Sequence, residues 1–108
     1  MTDIQSQKSL FVASLGNVTV RGLAYNESLL LAHAAKKISR GNIKAMKWLL
    51  LIGSLTLGIV NPHKTRSEVE EWVKSNAKDA AQVAVEISGL TEKRPHDQAS
   101  TRNIIRNG

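Results

Sequence analysis

The feature that most constrains the fold is an apolar segment in the middle of the chain. Residues 43–60 read IKAMKWLLLIGSLTLGIV, and from Trp48 to Val60 the apolar side chains point to all sides of a helix. A helix that is hydrophobic all round is either buried at the centre of a protein or placed in a membrane. We therefore expect a central helix over residues 43–60, which ends at Asn61-Pro62 and which other parts of the chain must cover.

Helical patterns flank this segment on both sides. Residues 26–40 predict a helix whose apolar side consists of Leu29, Leu30, Leu31, Ala34, Ala35 and Ile38. The next residues, Gly41-Asn42, either break this helix or lie within one longer helix, and we favour a break because glycine often ends helices. Residues 66–88 predict a third helix, with a capping box at Thr65 or Ser67 and apolar residues at helical spacing from Val69 to Ile87.

Residues 9–25 predict a β-hairpin. Gly16-Asn17 lies between two β-prone runs, and glycine at the first position suits a two-residue type II′ turn. Pairing of the residues that flank this turn gives one apolar face that contains Phe11, Ala13, Leu15, Val18 and Val20. An isolated two-stranded hairpin is marginally stable in water, so it must lie on the helices or complete a sheet with another subunit.

Together these patterns predict a mainly α fold of the α+β class, with an N-terminal β-hairpin, a three-helix core and a basic C-terminal tail. A chain of 108 residues suits one domain. We expect a flexible leader over residues 1–8, a single helical domain over 9–90 and a flexible basic tail over 91–108. Within the domain, Trp72 and Leu50 are expected to be buried.

The composition excludes several classes of function. The chain has no cysteine, which excludes disulfides, thiolate metal sites and a cysteine nucleophile. The polar N-terminus has no signal-peptide pattern, so we expect a cytoplasmic protein. His33, His63 and His96 have no partners at metal-ligand spacing, and no catalytic or nucleotide-binding motif is present. We expect neither an enzyme nor a bound metal or cofactor.

The distribution of charge suggests a binding surface. The net charge is +6, and no acidic residue lies between Glu27 and Glu68. The candidate nucleic-acid-binding residues are His33, Lys36, Lys37, Arg40, Lys44, Lys47, Lys64 and Arg66. On one continuous helix the first six fall within an arc of about 100° and form a row about 21 Å long. Most basic helix faces are exposed to solvent and bind no partner. A face that serves only solubility usually also carries glutamates that pair with its lysines, and this one carries none.

Three functions are compatible with these features. The favoured one is non-catalytic binding of nucleic acid, DNA or RNA, through the phosphate backbone of a duplex by a homodimer. The first alternative is a homo-oligomeric adaptor that binds another protein through its hairpin and its apolar central helix. The second is a membrane-associated protein that inserts helix 43–60, although the apolar stretch from Trp48 to Val60 spans only about 20 Å against about 30 Å of hydrocarbon.

Overall fold

A three-stranded antiparallel sheet and four helices make up the computed structural model, which describes residues 6–93. In chain order the elements are β1 (Gln7–Val12), β2 (Gly16–Arg21), α1 (Tyr25–Ser39), α2 (Ile43–Gly58), β3 (Ile59–Asn61), α3 (Arg66–Ser75) and α4 (Ala77–Leu90). The predicted class, a mainly helical α+β fold that begins with a β-hairpin, is confirmed. The strand order is β1-β2-β3.

The β-hairpin forms with a different turn from the predicted one. The turn is Ala13–Leu15, closed by a hydrogen bond that the Leu15 N–H donates to the Val12 carbonyl over 2.9 Å. Gly16 follows with a φ of 82°, the left-handed position that a three-residue hairpin loop requires. The predicted two-residue turn at Gly16-Asn17 is therefore wrong, because this glycine supplies its positive φ after the turn and not within it.

The new turn shifts the pairing of β1 by an odd number of residues. Leu10 pairs with Val18, and Phe11 pairs with Asn17. Because side chains alternate between the two faces of a sheet, an odd shift moves every β1 side chain to the other face. Val12 is therefore in the core, while Phe11, which was predicted to share the apolar face, is 67% exposed. Ala13 is exposed in the turn.

The last residues of the segment that was predicted as the central helix form a third strand instead. The helix ends at Gly58, and Ile59–Asn61 pairs antiparallel with β2, with Val20 opposite Ile59 and Thr19 opposite Asn61. The two β-branched residues Ile59 and Val60 suit a strand. The sheet that the β-hairpin needs for stability is thus completed within the same chain.

The predicted break after the first helix is confirmed at Arg40 and Gly41, which have φ values of 52° and 89°. Asn42 then caps α2 by accepting a hydrogen bond on its Oδ1 from the Ala45 N–H over 2.9 Å. A side chain at Gly53 would collide with Leu31, so residues well before and well after the break lie against each other. The two helices therefore form an antiparallel pair, the α1–α2 hairpin (residues 25–58).

The predicted third helix is two helices, so the structure has four. The Thr65 capping box is present: the Glu68 N–H donates to Thr65 Oγ1, and the Thr65 N–H donates to Glu68 Oε1 over 2.8 Å. The break lies at Asn76, whose φ of −138° is not helical and whose Nδ2 donates to the Trp72 carbonyl. Asparagine competes for backbone hydrogen bonds in this way, and the regular apolar spacing concealed the break.

The core lies between the sheet, α2, α3 and α4. Trp72 is 8% exposed, as predicted, but Leu50 is only half-buried because it borders a pocket. The buried apolar residues are Val12, Val18, Val20, Leu23, Ile52, Leu55, Ile59, Val69, Trp72, Val73, Ala80, Val83 and Ile87.

The end of α4 is joined to the connection between β2 and α1. The Leu23 N–H donates to Thr91 Oγ1, the Glu92 N–H donates to the Leu23 carbonyl, and the Tyr25 N–H donates to Glu92 Oε1, each over 3.0 Å. Thr91 and Glu92, placed in the predicted tail, are therefore held by the domain. Likewise β1 begins at Gln7, inside the predicted leader. The remainder of the tail, residues 94–108, lies outside the described residues.

Candidate binding surface on the α1–α2 hairpin

The predicted basic residues of the α1–α2 hairpin are all exposed. His33, Lys36 and Lys37 lie on α1, where they border one open depression, and Arg40 follows at the C-cap. Lys44 and Lys47 lie on the first turns of α2. The five cations Lys36, Lys37, Arg40, Lys44 and Lys47 all lie within about two helical turns of Gly41. We call them the basic tip.

The break at Gly41 changes the shape of the predicted surface. A continuous helix would have displayed the cations in one row about 21 Å long. Because α2 folds back along α1, the row is divided between two helices that meet at the turn. The charge is thus gathered at one end of the α1–α2 hairpin instead of being spread along a helix.

The basic tip has no carboxylate partner in the described part of the chain. Salt bridges within residues 6–93 join Lys8 with Glu86, Arg21 with Glu27, and Arg66 with Glu70, and none of them includes a cation of the tip. No acidic residue lies between Glu27 and Glu68 in the sequence. Within residues 6–93, no carboxylate therefore compensates the positive charges of the tip.

The last two predicted residues, Lys64 and Arg66, lie away from the basic tip, in the connection before α3 and at the start of α3, and acids lie beside them. Arg66, in the first turn of α3, pairs with Glu70 over 3.4 Å. The pKa of the Glu68 carboxyl is lowered, first by a hydrogen bond from the Thr65 N–H and also by the nearby charge of Lys64. Carboxylates thus compensate this second basic group, unlike the basic tip.

The α1–α2 hairpin also exposes aliphatic side chains. Leu30, Ile38 and Ile43 are 70%, 63% and 57% exposed, and Leu29 is also exposed. Leu29, Leu30 and Ile38 belong to the predicted apolar side of α1, and that side is largely exposed to solvent. Within the described residues α1 packs extensively only against α2, so a single narrow face, with Ala35 and Ser39, is buried. Exposed apolar patches commonly mark interaction sites.

A pocket of about 400 Å³ lies between α1, α2 and α4. Its wall is mainly aliphatic, and the polar side chains that border it are hydroxyl groups. The lining consists of Leu23, Ser28, Leu31, Leu50, Leu51, Ser54, Ala84, Ile87, Ser88 and Thr91. The sequence did not predict this pocket, because its residues come from four separate segments of the chain.

Two glycines of α2 allow the side chains of the neighbouring helices that form the pocket walls to pack closely against α2. Gly53 receives the side chain of Leu31 from α1, and Gly58 receives the side chain of Ile87 from α4, so that a Cβ at either position would collide. Leu31 and Ile87 are both lining residues. The glycines therefore let two helices approach α2 from either side, and the pocket lies between them.

Neither a metal site nor a membrane-spanning helix is found in the described part of the chain. Residues 6–93 contain no group of three or more metal-ligating side chains. Within the same residues, no helix has the length and apolarity that crossing a membrane requires. Comparisons with protein-family models, with curated proteins and with solved structures found no match. Function therefore has to be inferred from the chemistry of the surface itself.

Proposed function

We propose that this is a non-catalytic binding protein that recognises another protein chain through its α1–α2 hairpin. One observation carries the proposal: exposed aliphatic side chains lie next to cations that have no carboxylate partner among the described residues. Ile38 and Ile43 flank the turn, and Lys37, Arg40 and Lys44 lie beside them. As the composition predicts, we place the protein in the cytoplasm.

A protein partner accounts for both halves of this surface. Burying aliphatic area contributes about 25 cal/mol per Å², which favours a partner with apolar side chains. The cations then suit the polar rim of such an interface, where they speed association with an acidic surface and select against basic ones. A phosphate backbone would engage the cations only.

Site-specific photo-crosslinking tests the proposal. A photoreactive amino acid at position 38 is compared with the same amino acid at position 11, because Ile38 and Phe11 are similarly exposed at 63% and 67%. We expect position 38 to crosslink to a protein in the cells that produce this chain, and position 11 not to. Equal crosslinking at the two positions, or none at position 38, would contradict the proposal.

A second candidate is nucleic-acid binding, favoured by the charge of the basic tip alone. Five cations without carboxylate partners in the described chain can neutralise several phosphates and release their counterions, without any contact to bases. His33 would add a hydrogen-bond donor on the same face of α1. This candidate predicts an affinity that falls steeply as the salt concentration rises.

A further inference from the structure

We infer that the pocket between α1, α2 and α4 is the anchor site for an acidic, amphipathic helix of a partner protein. An aliphatic side chain of that helix enters the pocket, and its carboxylates contact Lys47 and Lys44. This inference rests on the proposed function, because it names the chemistry of the partner.

The pocket has the size and lining of an anchor site. Its volume of about 400 Å³ is within the range of ligand pockets, which are mostly apolar with a few polar groups that orient the ligand. Leu50 and Leu51 are only half-buried, so their apolar surface is accessible from the pocket. Ser28, Ser54 and Ser88 supply hydroxyl groups but no charge. An aliphatic side chain fits this environment, whereas a charged group would lose its hydration there.

The charge next to the pocket identifies the rest of the partner. Lys47 and Lys44 precede Leu51 by four and seven residues, so the three side chains share one face of α2. Along the helix axis they lie about 6 Å and about 10 Å from Leu51. Both lysines are exposed, and no salt bridge holds them within residues 6–93. Carboxylates are the complementary groups.

The spacing also indicates the form of the partner. When a partner helix lies along α2, one of its side chains faces α2 at each turn, that is, every three or four residues. A leucine in the pocket and glutamates four and seven positions from it then meet Leu51, Lys47 and Lys44 in turn. A nucleic acid provides the negative charges but has no aliphatic group for the pocket.

Designed peptides test this chemistry on the full chain. The probe is a labelled helical peptide of about 18 residues with one leucine and glutamates four and seven positions away from it. Two matched peptides replace the glutamates by lysines or the leucine by serine. We expect fluorescence anisotropy to show binding of the probe and at least about tenfold weaker binding of both matched peptides.

Variants of the protein locate the binding site. Ser88 is exposed at the pocket, so Ser88→Trp fills the pocket from its rim, and Gln82→Trp on the same helix is its control. Lys44→Glu with Lys47→Glu is compared with Lys74→Glu with Lys78→Glu. We expect each test variant to weaken binding of the probe at least about tenfold and each control to leave it unchanged. The matched peptide that carries lysines in place of the glutamates should bind the Lys44→Glu, Lys47→Glu variant more tightly than it binds the wild-type protein.

Two results would overturn the inference. One is failure of the wild type to prefer the acidic leucine probe, and the other is binding to the Ser88→Trp variant at wild-type affinity. Photo-crosslinking at position 38 separates this failure from that of the proposed function. If the Ser88→Trp protein, carrying the photoreactive group at position 38, still crosslinks to the partner at wild-type yield, the α1–α2 hairpin binds a protein but the pocket is not its anchor site.

Discussion

Trp72 donates its indole Nε1–H to the hydroxyl oxygen of Ser14 over 2.8 Å, which ties the turn of the β-hairpin to α3. The same hydroxyl donates to Asp79 Oδ2 of α4 over 2.6 Å, and the Ser14 N–H donates to that oxygen over 3.0 Å. One serine in a turn thereby joins the sheet to two helices.

Replacing this serine should weaken the whole domain. Ser14→Ala leaves the Trp72 indole without its acceptor and removes one hydrogen bond to Asp79, so we expect the free energy of unfolding to fall by about 1–3 kcal/mol. Urea unfolding followed by circular dichroism measures this change. Ser75→Ala, at an exposed position at the end of α3, is the control and should change the stability by less than about 0.5 kcal/mol. Equal effects of the two substitutions would show that the Ser14 contacts do not stabilise the fold.

The ion pair between Arg21 and Glu27 predicts a dependence of stability on pH. The Arg21 Nη1 and Nη2 groups donate to the two carboxylate oxygens of Glu27 over 2.9 and 2.8 Å, and the Ala24 N–H donates to Oε1 as well. The hydrogen bonds from Arg21, with a smaller contribution from Ala24, hold the pKa of Glu27 below its ordinary value. A carboxyl with a lowered folded-state pKa stabilises the protein above its unfolded-state pKa of about 4.3, and this contribution disappears as the pH falls through the folded-state value.

We therefore expect Glu27→Gln to reduce the free energy of unfolding by about 1 kcal/mol at about pH 7, a modest amount because the pair is partly exposed. The difference from the wild type should shrink progressively as the pH falls below about 4.3. Glu71→Gln, at an exposed position of α3, should show neither effect. A Glu27→Gln difference that is as large in acid as at neutral pH would contradict this account of the pair.

Two glycines should respond in opposite ways to substitution by alanine. A Cβ at Gly22 would collide with the carbonyl of Leu90, and because both sides of this contact are backbone, neither can move without loss of the nearby hydrogen bonds. We expect Gly22→Ala to destabilise the protein by about 2 kcal/mol or more. Gly89 is in α4 with open space around its Cα, so Gly89→Ala should stabilise by about 0.5–1 kcal/mol. Thermal unfolding of both variants checks the contrast, which fails if their melting temperatures shift in the same direction.

Nucleic-acid binding, the second candidate, predicts a strong effect of charge reversal at the basic tip. Lys37→Glu with Arg40→Glu should weaken binding to a duplex at least about tenfold, whereas Lys78→Glu on α4 should have little effect. The affinity of the wild type should also fall steeply between about 50 and 200 mM salt. Gel-shift titrations with duplex DNA and duplex RNA measure both quantities. Absence of any shift at low salt with duplexes or single strands would rule out this candidate.

The expected homodimer can be checked by light scattering on protein purified without detergent. Exposed aliphatic side chains such as Leu30, Ile38 and Ile43 favour association, and a dimer would cover some of them. We expect a stable dimer with residues 43–60 at or near its interface, so Leu57→Glu, at a 39% exposed position of α2, should shift it towards monomer. A wild-type protein that is monomeric at all accessible concentrations would contradict this expectation, and one that pellets with membranes would favour the membrane-associated alternative.

Structural features that depend only on residues close together in the sequence could be predicted without the fold. The apolar run predicted α2, the Thr65-to-Glu68 spacing predicted the start of α3, and Gly41 predicted the break that creates the α1–α2 hairpin. Capping, backbone preference and apolar spacing all act within a few residues, so they can be recognised without the fold. The lack of acidic residues around the basic tip was equally visible.

Tertiary contacts decided which of these residues face solvent and which lie together. The face to which Phe11 points depends on the register of β1, and a shift of the pairing by any odd number of residues reverses it. Leu29 and Leu30 belong to the predicted apolar side of α1, yet they are exposed, because a helix that packs against only one neighbour buries a single narrow face. The pocket exists because Leu31 and Ile87, far apart in the sequence, meet two glycines of α2. Such contacts join residues that no local pattern relates, and only the folded chain brings them together.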